Sequence, residues 1–288
     1  MKVAYGPAEL DSTERAVAIG TFDGVHRGHR AAIEAAKETG LRSTVVTFDP
    51  HPRLVLGYDV QLLSTLERRL ELIEELGPDE TVVIQFTPEL SRLRPEEFVR
   101  EVLQPIGAKT VVAAASFRFG RGRTGDIALL QRLGLEVREV PLVEGVSSSR
   151  IRELVSAGDV AGAARLLRRP PELEGPVVSG DQRGGTLGFP TANLAVGPHI
   201  LVPEFGIYAG AALGGRAAVS IGVNPHYGGS ERRIEAFLLD FDGDLYGQHL
   251  RIELWERLRD ERAFESEDDL VRQIAADVAA TRSAVRPA

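Results

Sequence analysis

"AIGTFDGVHRGH", residues 18–29, decides how the first half of this chain is read. It runs from a short apolar stretch through a glycine-rich turn into a segment with helical spacing. Gly28 marks where that helix begins. A helix N-terminus offers unpaired N–H groups and the positive end of its dipole. His26 and His29, three apart on one turn, point to the same side. The combination suits a triphosphate. It is not a P-loop, because the lysine and the four-residue spacer are missing. Two other readings stay open: ordinary turn residues, or a zinc site completed by Asp49 and His51 of "TFDPHP".

The pattern around this stretch repeats. "AVAIG" (16–20), "STVVTF" (43–48), "TVVIQF" (81–86), "TVVAAA" (110–115) and "LEVREV" (135–140) read as short strands rich in Val and Ile. Between them "HRAAIEAAKETG", "TLERRLELIEELG", "RPEEFVREVL" and "GDIALLQRLG" carry apolar positions at helical spacing. Gly40, Gly77 and Gly134 fall where helix C-caps belong. Such alternation predicts an α/β/α domain, a parallel sheet with helices on both faces. Ligands then bind beyond the C-terminal strand ends. Two short helices follow, "SSSRIRELVSAG" and "DVAGAARLLRR". "RPPELEG" (169–175) then breaks the pattern, since paired prolines cannot continue a helix. The expected domains are therefore 1–169 and 170–288.

Past the break the grammar changes. "GIYAGAAL", "RAAVSIGV", "RIEAFLLDF" and "LRIELWERL" read as antiparallel strands, and "DFDGDLYG" holds an Asp-Gly hairpin signal. Evenly spaced short strands predict a small barrel or sandwich. One terminal helix follows, "SEDDLVRQIAADVAATR", with Ser266 as N-cap and Asp269 three residues on.

Composition excludes some chemistry. The 288 residues have the 43% hydrophobic and 26% charged content of a soluble protein of about two domains. No stretch approaches the ~20 apolar residues of a membrane span. "MKVAYGPAELDSTERA" has no signal-peptide core, so a cytoplasmic protein is expected. There is no cysteine, hence no thiol nucleophile. A net charge of −8 argues against a nucleic-acid binder. The charge is uneven: net −1 over residues 1–169 and net −7 over 170–288. Lysine occurs only at 2, 37 and 109. Phosphate chemistry in the second half must do without it.

Other stretches carry chemistry. In "SSSRIRELV" (147–155), Arg150 and Arg152 fall in the first turn of a helix, where the dipole disfavours cations. An anion between them, or a solvated basic helix end, explains that. Residues 180–194, "GDQRGGTLGFPTANL", hold a glycine-rich run whose N–H groups can meet phosphates without a lysine. After Pro190, Thr191 and Asn193 share a strand face and offer hard oxygen ligands for Mg²⁺ carrying a nucleotide, though a plain turn and strand fits as well. Glu235 shares a face with Phe237 and Leu239 in "RIEAFLLDF", opposite Ile234 and Leu238. A carboxylate among apolar residues is a candidate general base, or sits at an exposed strand end.

Taken in order, these motifs resemble a known family from about residue 14 to 280. "GTFDGVHRGH", "VVTFDPHPR", "SFRFGRGRTGD" and "SSSRIR" are similar to the FMN adenylyltransferase half of bacterial bifunctional riboflavin kinase/FAD synthetases. "LGFPTANL", "GVNPHYGG", "LLDFDGDLYG" and "LRDERAFES" resemble its riboflavin kinase half. The resemblance implies a Rossmann-like nucleotidylyltransferase domain followed by an antiparallel barrel with a terminal helix. It implies two reactions: ATP-dependent phosphorylation of riboflavin to FMN, then adenylyl transfer from ATP to FMN giving FAD and pyrophosphate, both with Mg²⁺. It assigns ATP phosphates to Gly20, Phe22, Gly24, His26, His29, Ser148, Ser149 and Arg152. The second ATP goes to Gly180, Arg183, Gly188, Pro190, Thr191 and Asn193. Flavin goes to Phe48, Asp49, Pro50, His51, Ser116, Phe117, Phe119, Gly120 and, in the barrel, Arg259. Glu235 is the implied base. The implied partners are small molecules, with no nucleic acid or membrane and at most a weak homo-oligomer.

Two departures stand out. Ala114-Ala115-Ser116 replaces Gly, any residue, then Asp or Asn, and Ser116 reaches less far than Asn or Asp. This predicts weaker adenylyl transfer; the alternative function is a riboflavin kinase whose first domain is weakened or non-catalytic. His226 stands where the family often has Thr. A sensor without catalysis would have no need of Glu235.

Overall fold

The structure, a computed structural model, describes residues 1–179, 189–223 and 232–287. The chain divides into two compact units, Met1–Ser148 and Ser149–Ala288. The division falls earlier than the proline break at 169. The helix Ser148–Ser156 begins at the division, and the helix Val160–Leu167 packs against β12 (His249–Arg259) within the second unit. Val160 joins the core of that unit, and a side chain at Gly158 would meet Arg257 Cδ at 2.7 Å. The helix Val160–Leu167 ends before the paired prolines, with Arg168 at φ of 62°.

The first unit is built on a six-stranded sheet. Its strands are β1 (Lys2–Ala4), β2 (Arg15–Ile19), β3 (Arg42–Asp49), β4 (Glu80–Gln85), β5 (Ala108–Ala114) and β6 (Glu136–Val140). All pairs are parallel, in the order β1-β4-β3-β2-β5-β6. The central strands are buried on both faces, as their β-branched composition requires. Strand β1 has three residues, too few for a period to show. Gly40, Gly77 and Gly134 end their helices with φ of 79°, 67° and 87°. The expected helix "RPEEFVREVL" is broken into Pro95–Phe98, a π-helical turn Val99–Leu103 and Gln104–Ile106, because Pro105 lacks an N–H. From β2 the chain proceeds outward through β3 and β4, then returns to β5 on the other side. The crevice between the C-terminal ends of β2 and β5 is thus a topological switch point.

The second unit holds a closed antiparallel barrel in the order β10-β11-β8-β7-β12-β9. Its strands are β7 (Glu172–Val178), β8 (Ala192–Leu194), β9 (Gly206–Ala212), β10 (Gly215–Val223), β11 (Arg232–Leu238) and β12 (His249–Arg259). Alternation decides its faces. Ile234, Ala236, Val219, Ile221 and Tyr208 fill the interior, while Glu235, Phe237 and Ser220 face outward. The tight hairpin is β9–β10, whose two loop residues Leu213 and Gly214 have φ of 52° and 80°. The Asp-Gly signal at 242–243 does not make a hairpin: it lies in the connection between β11 and β12, which are not neighbours. The terminal helix Glu267–Ser283 starts as expected, with Ser266 Oγ accepting from the Asp269 N–H at 3.1 Å.

Candidate active sites

Beyond β2 the chain turns sharply through Gly20–His29. Gly24 has φ of 82°, and Phe22 and Val25 also take positive φ, 50° and 40°. Non-glycine residues in that region store strain, which concentrates at functional turns. His26 is the N-cap of the Arg27–Lys37 helix: its Nδ1 accepts from the His29 N–H at 3.4 Å. Its own proton therefore sits on Nε2. The two imidazoles stack with centroids 3.7 Å apart, and Phe22 packs against His29. Gly28 permits this, since a Cβ there would lie 3.3 Å from the His26 ring. His29 Nδ1 is buried and has no hydrogen-bond partner among the described residues. Burial, and then the charges of His26 and Arg69, hold the His29 pKa well below its ordinary value.

The turn is held from three sides. Buried Asp23 accepts from the Leu63 N–H at 2.9 Å, and the Gly24 N–H donates to Ser64 Oγ at 3.4 Å. Ser148 Oγ donates to the Asp23 carbonyl at 3.0 Å, so the second serine of the serine motif meets the histidine turn. Ser149 and Arg152 lie one and four residues further on, in the other compact unit, and Arg150 pairs with Glu153 at 2.9 Å.

The ends of β3 and β5, on either side of β2, supply the flanks of the site. Strand β3 ends at Asp49, followed by a cis Asp49–Pro50 bond. His51 is buried and caps the helix Pro52–Val55, its Nδ1 accepting from the Arg53 N–H at 3.2 Å. Burial raises the Asp49 pKa, and the Arg69 charge opposes this. Phe48 is in the core against Phe86, so it backs the site rather than opening onto it. After β5, Ser116 is exposed and Phe117 half-buried. Phe117 stacks on Phe119, which is buried against Phe98. Gly120 and Gly125 make this fold possible: a Cβ on either would come within 2.8 Å of Pro95, or of Phe119 for Gly125. The zinc reading finds no support. Among the described residues no group of three or more His, Cys, Asp or Glu comes together as metal ligands.

On the barrel, register places the second constellation. Glu235 of β11 stands directly opposite Asn193 of β8 and, on its other side, Ser220 of β10. All three are half-buried on the outer face. Phe189 packs edge-on against Phe237 at 5.4 Å, which lays the Phe189–Asn193 segment along that face; Thr191 is half-buried and Pro190 exposed. Gly180, Arg183, Gly188 and His226 lie outside the described residues. Arg259 is clamped by Asp277 of the terminal helix, with Nε and Nη2 at 2.9 and 2.7 Å from its carboxylate, and lies over the Phe264 ring. A cleft of about 440 Å³ opens beside it, lined by Arg262, Phe264, Arg272 and Gln273 among others. The sequence reading missed Asp277, Ser64 and Ser220. The only signal for Ser220 was its place across from Glu235, which needs strand order to see.

Comparisons with known proteins match the two halves of the chain to two families. Residues 8–152 match the family described as FAD synthetase, and residues 167–285 the family described as riboflavin kinase. A bifunctional riboflavin kinase/FMN adenylyltransferase of Listeria monocytogenes is 34% identical, over 96% of this chain and 94% of its own length. That of Escherichia coli K12 is 35% identical, over 90% and 89%. A crystal structure from Streptococcus pneumoniae, described as a macrolide-efflux protein, is 30% identical with a TM-score of 0.89, covering 98% of this chain and 99% of that one. Among the described residues of this chain no helix is long and apolar enough to cross a membrane. With both halves matched in order and nearly end to end, the chain belongs to the bifunctional riboflavin kinase/FMN adenylyltransferase family.

Proposed function

We propose that the two reactions of this family take place at the two constellations just described, one in the 1–169 part of the chain and one in 170–288. At the switch-point crevice an FMN phosphate oxygen attacks the α-phosphorus of ATP. A new P–O bond forms, the α–β bridge breaks, and pyrophosphate leaves. The attacking phosphate needs no base. His26, His29 and Arg152 stabilise the transferring and leaving charge, as positioned donors do best in a preorganised site. Gly20, Phe22, Gly24, Ser148 and Ser149 complete the phosphate cradle. Asp49, Pro50, His51, Ser116 and Phe117 face the flavin, with Phe48 and Phe119 behind them. The orphaned His29 Nδ1 at the switch point carries this reading.

On the barrel, Glu235 takes the proton of the riboflavin 5′-hydroxyl as its oxygen attacks the γ-phosphorus of ATP, and ADP leaves. Thr191 and Asn193 suit Mg²⁺, being neutral hard-oxygen donors beside the carboxylate, with Asn193 directly across from it. The ion, when bound, would neutralise charge on the ATP phosphates. The family resemblance assigns Gly180, Arg183, Gly188 and Pro190 to the same nucleotide and Arg259 to the flavin. We place the work in the cytoplasm, on small molecules alone, with no more than weak self-association.

Riboflavin with Mg·ATP, products separated over time, should give FMN first and FAD after it. FMN with ATP should give FAD and pyrophosphate in equal amounts, and a chelator should stop both steps. FAD formation that survived full removal of divalent cations would refute the Mg²⁺ assignment.

A further inference from the structure

Arg69 lies in the helix Leu66–Glu74 and is 1% exposed. Its Nη1 donates to the Phe48 carbonyl at 2.9 Å and to Thr47 Oγ1 at 3.3 Å. Thr47 Oγ1 in turn donates to the Thr21 carbonyl at 3.0 Å. One guanidinium therefore ties together the ends of β2 and β3. Those strand ends lead into the histidine turn and the Asp49–Pro50–His51 turn, neighbouring turns on the β2 side of the crevice.

The side chain is under-compensated for so deep a position. Its Nε is buried with no hydrogen-bond partner, and among the described residues no carboxylate reaches ion-pair distance. Asp23, Asp49 and Glu67 act on it only from further away, and its own charge is felt at His29 and Asp49. A buried cation without a close counter-ion is a poor stabiliser; an apolar side chain of similar volume serves the core as well or better. Packing alone does not account for an arginine here. A site that receives the phosphates of two substrates does, because fixed positive charge under the crevice is already oriented before they arrive.

We propose that Arg69 is a positioning residue for adenylyl transfer: it sets the spacing of the histidine turn and the Asp49–Pro50–His51 turn beside the crevice, and its charge lies beneath the anionic phosphates bound there. This rests on the reading of that crevice as the nucleotide site. Arginine supplies the two parallel donors and the fixed charge that this joint uses; lysine supplies the charge alone.

The test uses the full chain, with riboflavin phosphorylation on the barrel as internal control. Arg69→Met is expected to lower kcat for FAD formation by about 100-fold, the cost of a small misplacement of reacting groups. KM for ATP should change little, and the melting temperature of the sheet unit should hold or rise. Arg69→Lys is expected near a tenfold loss, between Met and wild type. Arg69→Met within about threefold of wild type overturns the proposal. So does a loss that merely follows the unfolded fraction of the sheet unit. Should Arg69→Met fail to fold, Arg69→Lys decides, and full activity in it overturns the proposal. Failure of the underlying site reading shows separately, as undiminished FAD formation in His29→Ala.

Discussion

In the proposed function two side chains divide the labour of this enzyme, and a change at either is expected to cost one reaction and spare the other. Glu235→Gln should lower FMN formation by about 10²- to 10⁴-fold, the usual worth of a positioned base. FMN-to-FAD conversion should stay intact. His29→Ala should lower FAD formation by about 10²- to 10³-fold and spare the kinase. Separation of flavin products checks both, and kinase turnover near wild type in Glu235→Gln would mean the base is wrongly assigned. His29 also carries a pH dependence. Its folded pKa is held well below 6.5, first by burial, then by His26 and Arg69. Below pH 6.5 the unfolded chain binds a proton that the folded turn refuses. That group's contribution is therefore complete above pH 6.5 and is lost as the pH falls beneath it. Urea melts of the sheet unit at pH 7.5 and 5.5 should differ less in His29→Gln than in wild type; equal differences would refute the assignment.

Among elements, the loop after β5 depends on backbone more than on side chains. Gly120 has φ of 70°, and a Cβ there would lie 2.7 Å from the Pro95 nitrogen. Phe119 and Gly125 exchange both backbone hydrogen bonds, 3.1 and 3.0 Å, which pins Phe117 at the crevice edge. Gly120→Ala should cost about 1–3 kcal/mol of sheet-unit stability through positive φ, with the clash adding to it. It should also raise KM for FMN. Thermal melts and FMN titration read the two effects, and an unchanged KM would place the flavin elsewhere. On the barrel, register plays the equivalent part. A one-residue slip of β11 would turn Glu235 inward and Ile234 outward, so the buried side fixes the chemical side.

At the scale of the molecule, hydrophobic cores each confined to one unit imply two separable unfolding events. The sheet unit has an internal lock at the end away from its site. Fully buried Arg15 pairs with Glu80 at 2.8 Å and with Asp11 at 2.7 Å, and also donates to the Ile106 and Thr13 carbonyls. Glu80→Gln leaves that guanidinium short of its buried partner and should cost about 3–5 kcal/mol. The melt should then split, with the sheet unit unfolding first and riboflavin phosphorylation surviving past it. A single transition shifted as a whole would show the units unfold together.

Much of this was written in the one-dimensional pattern. Alternating strands and helical segments announced a parallel sheet, the cap glycines lie where expected, and His26, His29 and Glu235 could be picked out by residue type and spacing. These are local properties, fixed by backbone geometry and by the period of apolar residues. Strand order is not local. Only the tertiary structure set β5 beside β2 to open the crevice, put Asn193 and Ser220 on either side of Glu235, packed the helix Val160–Leu167 against β12, and left Asp242-Gly243 outside any hairpin. It alone buried Arg69 beneath two strand ends and locked Arg259 to Asp277. Such pairings follow from which apolar faces cover one another, and that depends on the whole chain at once.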